Sequence, residues 1–546
     1  MAILLTVTSM TVACPSSSDE HWVDTTLNEL TLREKIAQLI QIRVPGRFIN
    51  RLSPEFLSIS EQVRNNRIGG VCLFAGNVFD SAMLLNELQG ISHLPLIVSS
   101  DFERGASFRI ADTTSFPWTM ALGAAGSEQL AYQKGKVTAR EARALGVHWI
   151  FAPVMDVNNN PANPVINIRS FGEDPRLVAR LGAAFIRGAI EGGVLTTAKH
   201  FPGHGDTATD SHIGLPVLKM DLSRLQALEF IPFISAIEAG VDSIMTAHVA
   251  VPGVTGQSGT PATLSPMILT DILRNKLRFD GLVVTDALEM AGITDHYWNG
   301  LAAVRAIQAG ADVLLLPTDA AVAINEIERA VKRGEISEAR IDESVRRVLQ
   351  AKYRLQLHIN RQADLTLIGD IVASPENLRY AQEIADRSIT VVKDDRRLLP
   401  INPLDGKRIF SLVLAPGTES NPGAVFQAEM RRRFPSLHTA WSNSQVTGEI
   451  LSSIDREAAA ADIIVLSTLV RLTTGQVSVS MPANQQRIVR RLLASKKPLI
   501  WVSLGNPYVL QIAPEAGTYL CTFSYSDVSQ IAAARALSGA IDLAGA

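Results

Sequence analysis

The segment 199–212, KHFPGHGDTATDSH, contains three histidines, two aspartates and a lysine within fourteen residues. The run 194–198 before it is apolar and β-prone, so the pattern predicts a buried strand that leads into a polar loop. Stability does not account for such a loop, because unpaired charge in an apolar setting is costly. We therefore expect this segment to carry chemistry.

Within the loop, Asp210 precedes His212 by two residues. A carboxylate at that spacing can hold the imidazole in one tautomer, and the other ring nitrogen then exchanges a proton near neutral pH. Asp286 ends the apolar run 281–286, which places a second carboxylate on a rigid strand, as a nucleophile requires. A carboxylate nucleophile and a proton donor are the minimal set for retaining glycoside hydrolysis.

The same loop also allows a metal site, because histidine and aspartate side chains above an α/β barrel often bind zinc. The candidate ligands are His200, His204, Asp206, Asp210 and His212. The adjacent Lys199 disfavours a cation, and the sequence has no H-x-H pair to supply a second ligand cluster. On residue types alone, a metallohydrolase stays open beside a glycosidase.

Short apolar runs alternate with helical patterns from about residue 22. The predicted strands lie near residues 39–43, 70–75, 95–101, 148–156, 194–200, 241–248, 281–286 and 311–317. Helix-length segments between them predict right-handed βαβ units and a parallel sheet. The first helical pattern covers residues 24–41.

Polar residues stand where these apolar runs stop: Asp101, Asp156, Lys199, His200, His248 and Asp286. In a (β/α)8 barrel this end of the strands carries the active site. Eight strands close a TIM-like barrel, which we place at residues 22–355. A doubly wound sheet is the alternative, but the chain has no G-x-G-x-x-G turn after its first strand.

The second part of the chain predicts a smaller α/β unit. After a linker at 356–385, apolar strands and helical segments alternate again, which predicts an αβα sandwich at 386–546. The ends of these strands carry no comparable set of carboxylates or histidines. We therefore place the chemistry in the barrel.

Composition excludes several classes of protein. Hydrophobic residues are 47% and charged residues 19%, which excludes global disorder. The net charge of −3 gives no electrostatic case for a nucleic-acid partner. Three scattered cysteines fit neither a disulfide framework nor a zinc ribbon. Beyond the N-terminus, no apolar run predicts a membrane span.

The first 21 residues predict a leader or signal segment. The run 2–13 has the length of a signal core and precedes Cys14, a possible lipid anchor, although no basic residue comes before it. A disordered leader is the alternative. Export favours a periplasmic or envelope location over the cytoplasm.

Here a family resemblance enters. KHFPGHGDTATDSH is similar to the K-H-F-P-G-H-G-[DN]-T-x-x-D-S-H signature of family 3 glycoside hydrolases, in their β-N-acetylglucosaminidase branch. Supporting segments follow in family order: 101–105, 151–156, 168–172, 245–248 and 284–290. The resemblance covers residues 22–353 and, more loosely, a C-terminal sandwich that ends earlier than in longer members. Arg104 departs from it, since the family often has glycine there.

The resemblance implies roles for seven residues. Asp286 would be the nucleophile and His212 the acid/base, with Asp210 as its partner. Four residues would bind the sugar hydroxyls: Asp101, Arg169, Lys199 and His200. Glu103 and Glu289 are expected to be structural partners of nearby groups.

By this resemblance we expect a retaining exo-β-N-acetylglucosaminidase that removes terminal β-linked N-acetylglucosamine (GlcNAc) from peptidoglycan or chitin fragments. It implies no metal. We also expect no cofactor, a carbohydrate substrate as partner, no nucleic acid, no membrane-spanning segment and a monomer. A GlcNAc phosphorylase on the same scaffold is the alternative, since a histidine acid/base does not repel phosphate. A non-catalytic sugar-binding module would have degraded catalytic positions, yet Asp286, Asp210 and His212 are all present.

Overall fold

The computed structural model describes residues 17–543, except 473, 474 and 476–478. Most of the predicted leader at 1–21 therefore lies outside the described residues. Among the residues described, none of the helices is both long and apolar enough to cross a membrane.

The first part of the chain is built on parallel strands. In the described residues they are β1 Ile40–Gly46, β2 Gly70–Gly76, β3 Ile97–Ser100, β4 Trp149–Ile150, β5 Thr197–Phe201, β6 Ser243–Thr246, β7 Leu282–Val284 and β8 Leu314–Leu315. They form two parallel sheets, with orders β4-β3-β2-β1-β8 and β5-β6-β7. Single parallel bridges, Trp149 with Leu195 and Val284 with Val313, link the two sheets at both ends. The strands thus follow one another in chain order.

Helices lie between these strands. The longer ones are Ser17–Glu29, Leu32–Ala37, Pro54–Arg64, Val78–Ile91, Thr119–Ala125, Glu128–Ala144, Pro175–Glu191, Leu225–Glu229, Phe230–Glu238, Met267–Lys276, Asn299–Ala309, Ala320–Lys332 and Glu338–Arg354. Short turns of helix are Ala106–Phe108, Asn167–Arg169, Leu222–Arg224, Pro252–Thr255, Ala262–Leu264 and Ala291–Thr294.

The single helix predicted over 24–41 is wrong. The first helix ends at Glu29, and Thr31 caps the second. The Thr31 hydroxyl accepts from the backbone N–H of Glu34, whose carboxylate accepts from the backbone N–H of Thr31. This capping box satisfies two backbone donors and starts a new helix in the middle of a continuous apolar pattern. The strand β1 then begins within the predicted helix.

The second part contains one sheet of six strands. These are β9 Thr390–Asp394, β10 Ile409–Leu414, β11 Leu437–Ser442, β12 Ile463–Val470, β13 Leu499–Gly505 and β14 Thr518–Cys521, in the order β11-β10-β12-β13-β14-β9, with β9 antiparallel. Its helices are Ile368–Ile371, Pro375–Ser388, Pro403–Asp405, Ala424–Arg433, Gly448–Ala460, Ala483–Ala494, Pro507–Ile512 and Asp527–Leu537. Strands β10 and β12 are buried along their whole length, as expected for parallel strands covered on both faces.

The two parts of the chain touch beside the carboxyl ends of β3 to β5. The backbone N–H of Trp118 donates to Ser524 Oγ at 3.2 Å. The Tyr508 hydroxyl lies 3.0 Å from Asn158 Nδ2 and 2.5 Å from a Glu173 carboxylate oxygen. The second part therefore covers loops that follow the strands of the first.

Candidate active site

One cavity of about 230 Å³ lies at the carboxyl ends of the parallel strands. All seven residues singled out from the sequence line it: Asp101, Arg169, Lys199, His200, Asp210, His212 and Asp286. Asp101 directly follows β3, and Asp286 follows β7 by two residues. Strand β3 belongs to the five-stranded sheet and β7 to the three-stranded sheet, so the two parallel sheets meet at this cavity.

Asp210 and His212 form a pair. The Nδ1 of His212 lies 2.7 Å from Asp210 Oδ1, which also accepts the His212 backbone N–H at 2.8 Å. Because a carboxylate can only accept a hydrogen bond, Nδ1 of His212 carries a proton, and Nε2 is the ring nitrogen available to a substrate in the cavity. The other oxygen, Oδ2, accepts the Gly475 backbone N–H at 2.8 Å, so the second part of the chain also holds this carboxylate.

Asp286 is a half-buried carboxylate with an oxygen left for chemistry. Its Oδ1 accepts the Ala287 backbone N–H at 2.8 Å. Burial works to raise the pKa of Asp286, but His248, His200 and His212 outweigh it, so the pKa lies below its ordinary value. The group is therefore ionised at neutral pH, as a nucleophile must be. It also borders a second cavity of about 240 Å³.

Four charged side chains form a network around Lys199. Lys199 Nζ lies 2.8 Å from both Asp101 Oδ1 and Glu103 Oε1. Arg169 donates two hydrogen bonds to the Glu103 carboxylate, from Nε to Oε2 at 2.9 Å and from Nη2 to Oε1 at 2.7 Å. Burial works to raise the pKa of each carboxyl, but the cations hold the pKa of both Asp101 and Glu103 well below the ordinary range. Glu103 is thus a structural partner of an arginine.

Glu103 should contribute strongly to stability in a pH-dependent way. Because its folded-state pKa is depressed, its contribution is present above the ordinary carboxyl pKa near 4 and is lost as pH falls towards the folded-state pKa. Glu103→Gln should lower the free energy of unfolding by about 3 kcal/mol at pH 7 and by less at pH 3. Denaturant unfolding at both pH values measures this.

The matched control for that experiment is Glu289→Gln. Glu289 pairs with Arg43, but both side chains are partly exposed, at 37% and 48%. We expect a change of less than about 1 kcal/mol, because exposed ion pairs contribute little. Equal losses for the two variants at pH 7 would contradict the importance given to the Glu103 network.

Asp156 and Arg169 hold the His200 ring in position. Its Nδ1 lies 2.7 Å from Asp156 Oδ2, and its Nε2 lies 3.4 Å from Arg169 Nη2. Asp156 also accepts the backbone N–H of His200 at 3.2 Å and that of His204 at 2.7 Å. Asp156 thus orients two residues of the loop, a role that goes beyond capping its own turn.

The other two histidines near the site are satisfied by the protein. His204 bonds Thr207 Oγ1 at 2.9 Å and Ser211 Oγ at 3.0 Å, and burial lowers its pKa to about 4. His248 donates from Nε2 to the Ala287 carbonyl at 2.9 Å and does not line either cavity. Both therefore shape the site through bonds within the protein.

The loop histidines turn towards separate partners. His200 faces Asp156, His204 faces Thr207 and Ser211, and His212 faces Asp210. Within the described part of the chain, no three His, Cys, Asp or Glu residues converge as ligands for one ion.

Sequence reasoning missed Arg109 and the contribution of the second part. Arg109 Nη2 lies 2.5 Å from Asp101 Oδ2, and it borders both cavities. Leu472 and Tyr525 also line the main cavity. No spacing signal marks Arg109, which is one basic residue in a predicted loop. Leu472 and Tyr525 lie more than 250 residues beyond the polar loop, so only the tertiary fold brings them to it.

Comparison with known proteins gives consistent results. A family model described as "Glycosyl hydrolase family 3 N terminal domain" matches residues 31–351. A β-N-acetylglucosaminidase/β-glucosidase of Cellulomonas fimi is 30% identical over 98% of this chain and 96% of its own length. The β-hexosaminidase LpqI of Mycobacterium tuberculosis is 33% identical over 59% of this chain and 83% of its own.

Two solved structures resemble the whole chain. A family 3 β-N-acetylglucosaminidase from a Paenibacillus species has a TM-score of 0.84 and 32% identity, covering 94% of this chain and 98% of its own. A β-glucoside phosphorylase has a TM-score of 0.87 and 26% identity, covering 97% and 96%. The family match, the relatives and the cavity agree: this chain belongs to glycoside hydrolase family 3, in its β-N-acetylglucosaminidase branch.

Proposed function

We propose that this protein is a retaining exo-β-N-acetylglucosaminidase that removes terminal β-linked GlcNAc from peptidoglycan or chitin fragments. The observation that carries the proposal is that an ionised Asp286 and a His212 held by Asp210 line the same cavity. The hexosaminidase names of the relatives support the choice of sugar.

In the first step, a carboxylate oxygen of Asp286 attacks C1 of the terminal sugar while the bond from C1 to the leaving oxygen breaks. His212 enters this step as the imidazolium, protonated at both ring nitrogens; its Nε2 proton passes to that oxygen, which leaves neutral His212, and a glycosyl ester forms on Asp286. In the second step, neutral Nε2 takes a proton from water, whose oxygen attacks C1. The ester bond then breaks, which restores Asp286 and yields the β-anomer.

We assign sugar binding to Asp101, Arg169, Lys199 and His200, and we add Arg109. The cations donate to hydroxyl oxygens, and Asp101 accepts from hydroxyl groups. Because these side chains are already paired with one another, the network is organised before the sugar arrives.

The proposal includes the architecture that holds the site. We infer a closed (β/α)8 barrel at residues 22–355, a linker at 356–385 and an αβα sandwich at 386–546. The linker contains the helix Ile368–Ile371 and most of the helix Pro375–Ser388. The two bridges between the parallel sheets support closure. Separate apolar clusters on the two faces of the six-stranded sheet support the sandwich.

Asp210→Asn tests the pairing of the dyad. An amide can no longer enforce the His212 tautomer or stabilise the imidazolium, so we expect kcat on unactivated chito-oligosaccharides to fall about 100-fold or more. Ser211→Ala, which alters a bond to His204 instead, is the neighbouring control and should fall less than tenfold. A small effect of Asp210→Asn would contradict the proposed role of the pair.

Hydrolysis of 4-nitrophenyl β-GlcNAc compared with 4-nitrophenyl β-glucoside tests the proposed function. We expect the GlcNAc glycoside to be cleaved faster, with the β-anomer of GlcNAc formed first. Preference for the glucoside, or the α-anomer as first product, would contradict it.

A phosphorylase is the second candidate, supported by the likeness to a β-glucoside phosphorylase and by the histidine at the acid/base position. Phosphate would then replace water as the attacking group in the second step. The same assay in phosphate buffer decides between the two functions: GlcNAc as the product supports hydrolysis, and GlcNAc-1-phosphate supports phosphorolysis.

A further inference from the structure

Arg104 differs from the other cations that line the main cavity. Arg109, Arg169 and Lys199 each contact a carboxylate. Arg104 instead donates to Ser115 Oγ at 3.0 Å and to Ser107 Oγ and O, both at 3.4 Å. Its Nε is buried without a hydrogen-bond partner. Within the part of the chain that the structure describes, no carboxylate forms an ion pair with this guanidinium, and the charges of Glu103 and Asp527 act on it only from a distance.

The surroundings of Arg104 make this unusual. Its Cζ lies 5.6 Å from the Trp118 ring centre and 5.9 Å from that of Phe108, and Tyr525 completes the wall. Burial among these aromatic rings lowers the pKa of Arg104. Removing a cation from water without an ion-pair partner is costly. The position of Arg104 on the wall of the cavity therefore favours a ligand that carries a negative charge.

The position of Arg104 indicates which part of the substrate it meets. It lies on the loop after β3, whereas Asp286 follows β7 in the other parallel sheet. In the closed barrel inferred above, Arg104 lies across the cavity from Asp286, so in the proposed pose the C4 and C6 side of a sugar whose C1 meets Asp286 lies towards Arg104. This argues against attack by phosphate bound at Arg104, since an attacking group must reach C1.

We propose that Arg104 recognises a sulfate or phosphate ester on the C4 and C6 side of the terminal GlcNAc. This inference rests on the proposed function. A guanidinium offers paired N–H donors that match tetrahedral oxyanions. The hydroxyls of Ser107 and Ser115 accept from Arg104 and hold its side chain in place. The nearby carboxylates do not oppose it: Glu103 is neutralised by Arg169 and Lys199, and Asp101 by Arg109 and Lys199.

The test compares 4-nitrophenyl β-GlcNAc with its 6-sulfate and 6-phosphate, using the full chain. For wild type we expect kcat/KM on at least one ester to exceed that on the neutral glycoside about tenfold. Arg104→Gln should lower this ester-to-neutral ratio about 100-fold, since it removes a charge-assisted contact. Arg104→Lys keeps the charge and should retain part of the ratio. Thermal unfolding of both variants checks that they fold.

Comparing the 6-sulfate with the 6-phosphate identifies the group that Arg104 recognises. A preference for only one of the two esters shows whether that group is a sulfate or a phosphate. If wild type cleaves the neutral glycoside but rejects both esters, the inference fails while the proposed function stands. An unchanged ratio in Arg104→Gln would also overturn the inference. Failure of wild type to cleave any of the three glycosides would overturn the proposed function and the inference together.

Discussion

Asp286→Ala should lower kcat by about 10⁴-fold or more, on every glycoside that the enzyme accepts. The reason is that, among the described residues, the other carboxylates lining the main cavity are already held: Asp101 and Glu103 by cations, and Asp210 by His212. Steady-state rates with an aryl β-GlcNAc and a chito-oligosaccharide measure the effect.

The control is Asp286→Asn, which can keep the hydrogen bond from the Ala287 backbone N–H but is a poor nucleophile. It should be nearly as inactive as the alanine variant and remain folded. Azide added to Asp286→Ala should restore turnover of the aryl glycoside and yield the α-glycosyl azide. Recovery without azide, or a β-azide, would be incompatible with a nucleophile at this position.

His212→Ala should have an effect that depends on the leaving group. Unactivated chito-oligosaccharides need protonation of the departing oxygen, and their rate should fall by 10²- to 10⁴-fold. A 4-nitrophenyl glycoside leaves as a stabilised anion, so its first step should fall much less. Rates across a series of aryl glycosides measure the trend, which should become steeper in the variant.

For this prediction, His204→Ala is the matched control, because His204 lies in the same loop but is bonded to Thr207 and Ser211. It should affect good and poor leaving groups alike. Equal losses on both substrate classes in His212→Ala would argue against a role as general acid.

Much of the fold could be predicted because parallel strands buried on both faces are continuous apolar runs. Strands such as β12, IIVLSTLV, stand out from the helices around them. The break at Thr31 could not be predicted from periodicity, since the apolar spacing continues through it. There a local cap outweighs the pattern, because the two backbone hydrogen bonds depend on side-chain geometry.

The site was predictable where one short segment holds it. Lys199, His200, Asp210 and His212 lie within fourteen residues, and a strand end marks Asp286. Arg109 and Gly475 were not predictable, because their contacts with Asp101 and Asp210 depend on how loops fold across the cavity. The contact of Gly475 is made by its backbone N–H, a group that every residue except proline has, so the residue type does not indicate it.

Mass spectrometry of a trapped intermediate tests the central claim most directly. A 5-fluoro derivative of GlcNAc with a good leaving group at C1 slows breakdown of a glycosyl ester, so a covalent adduct should accumulate. We predict one sugar per chain, on the peptide that contains Asp286. An adduct on another residue, or turnover through the substrate's own acetamido group with no adduct, would contradict the account.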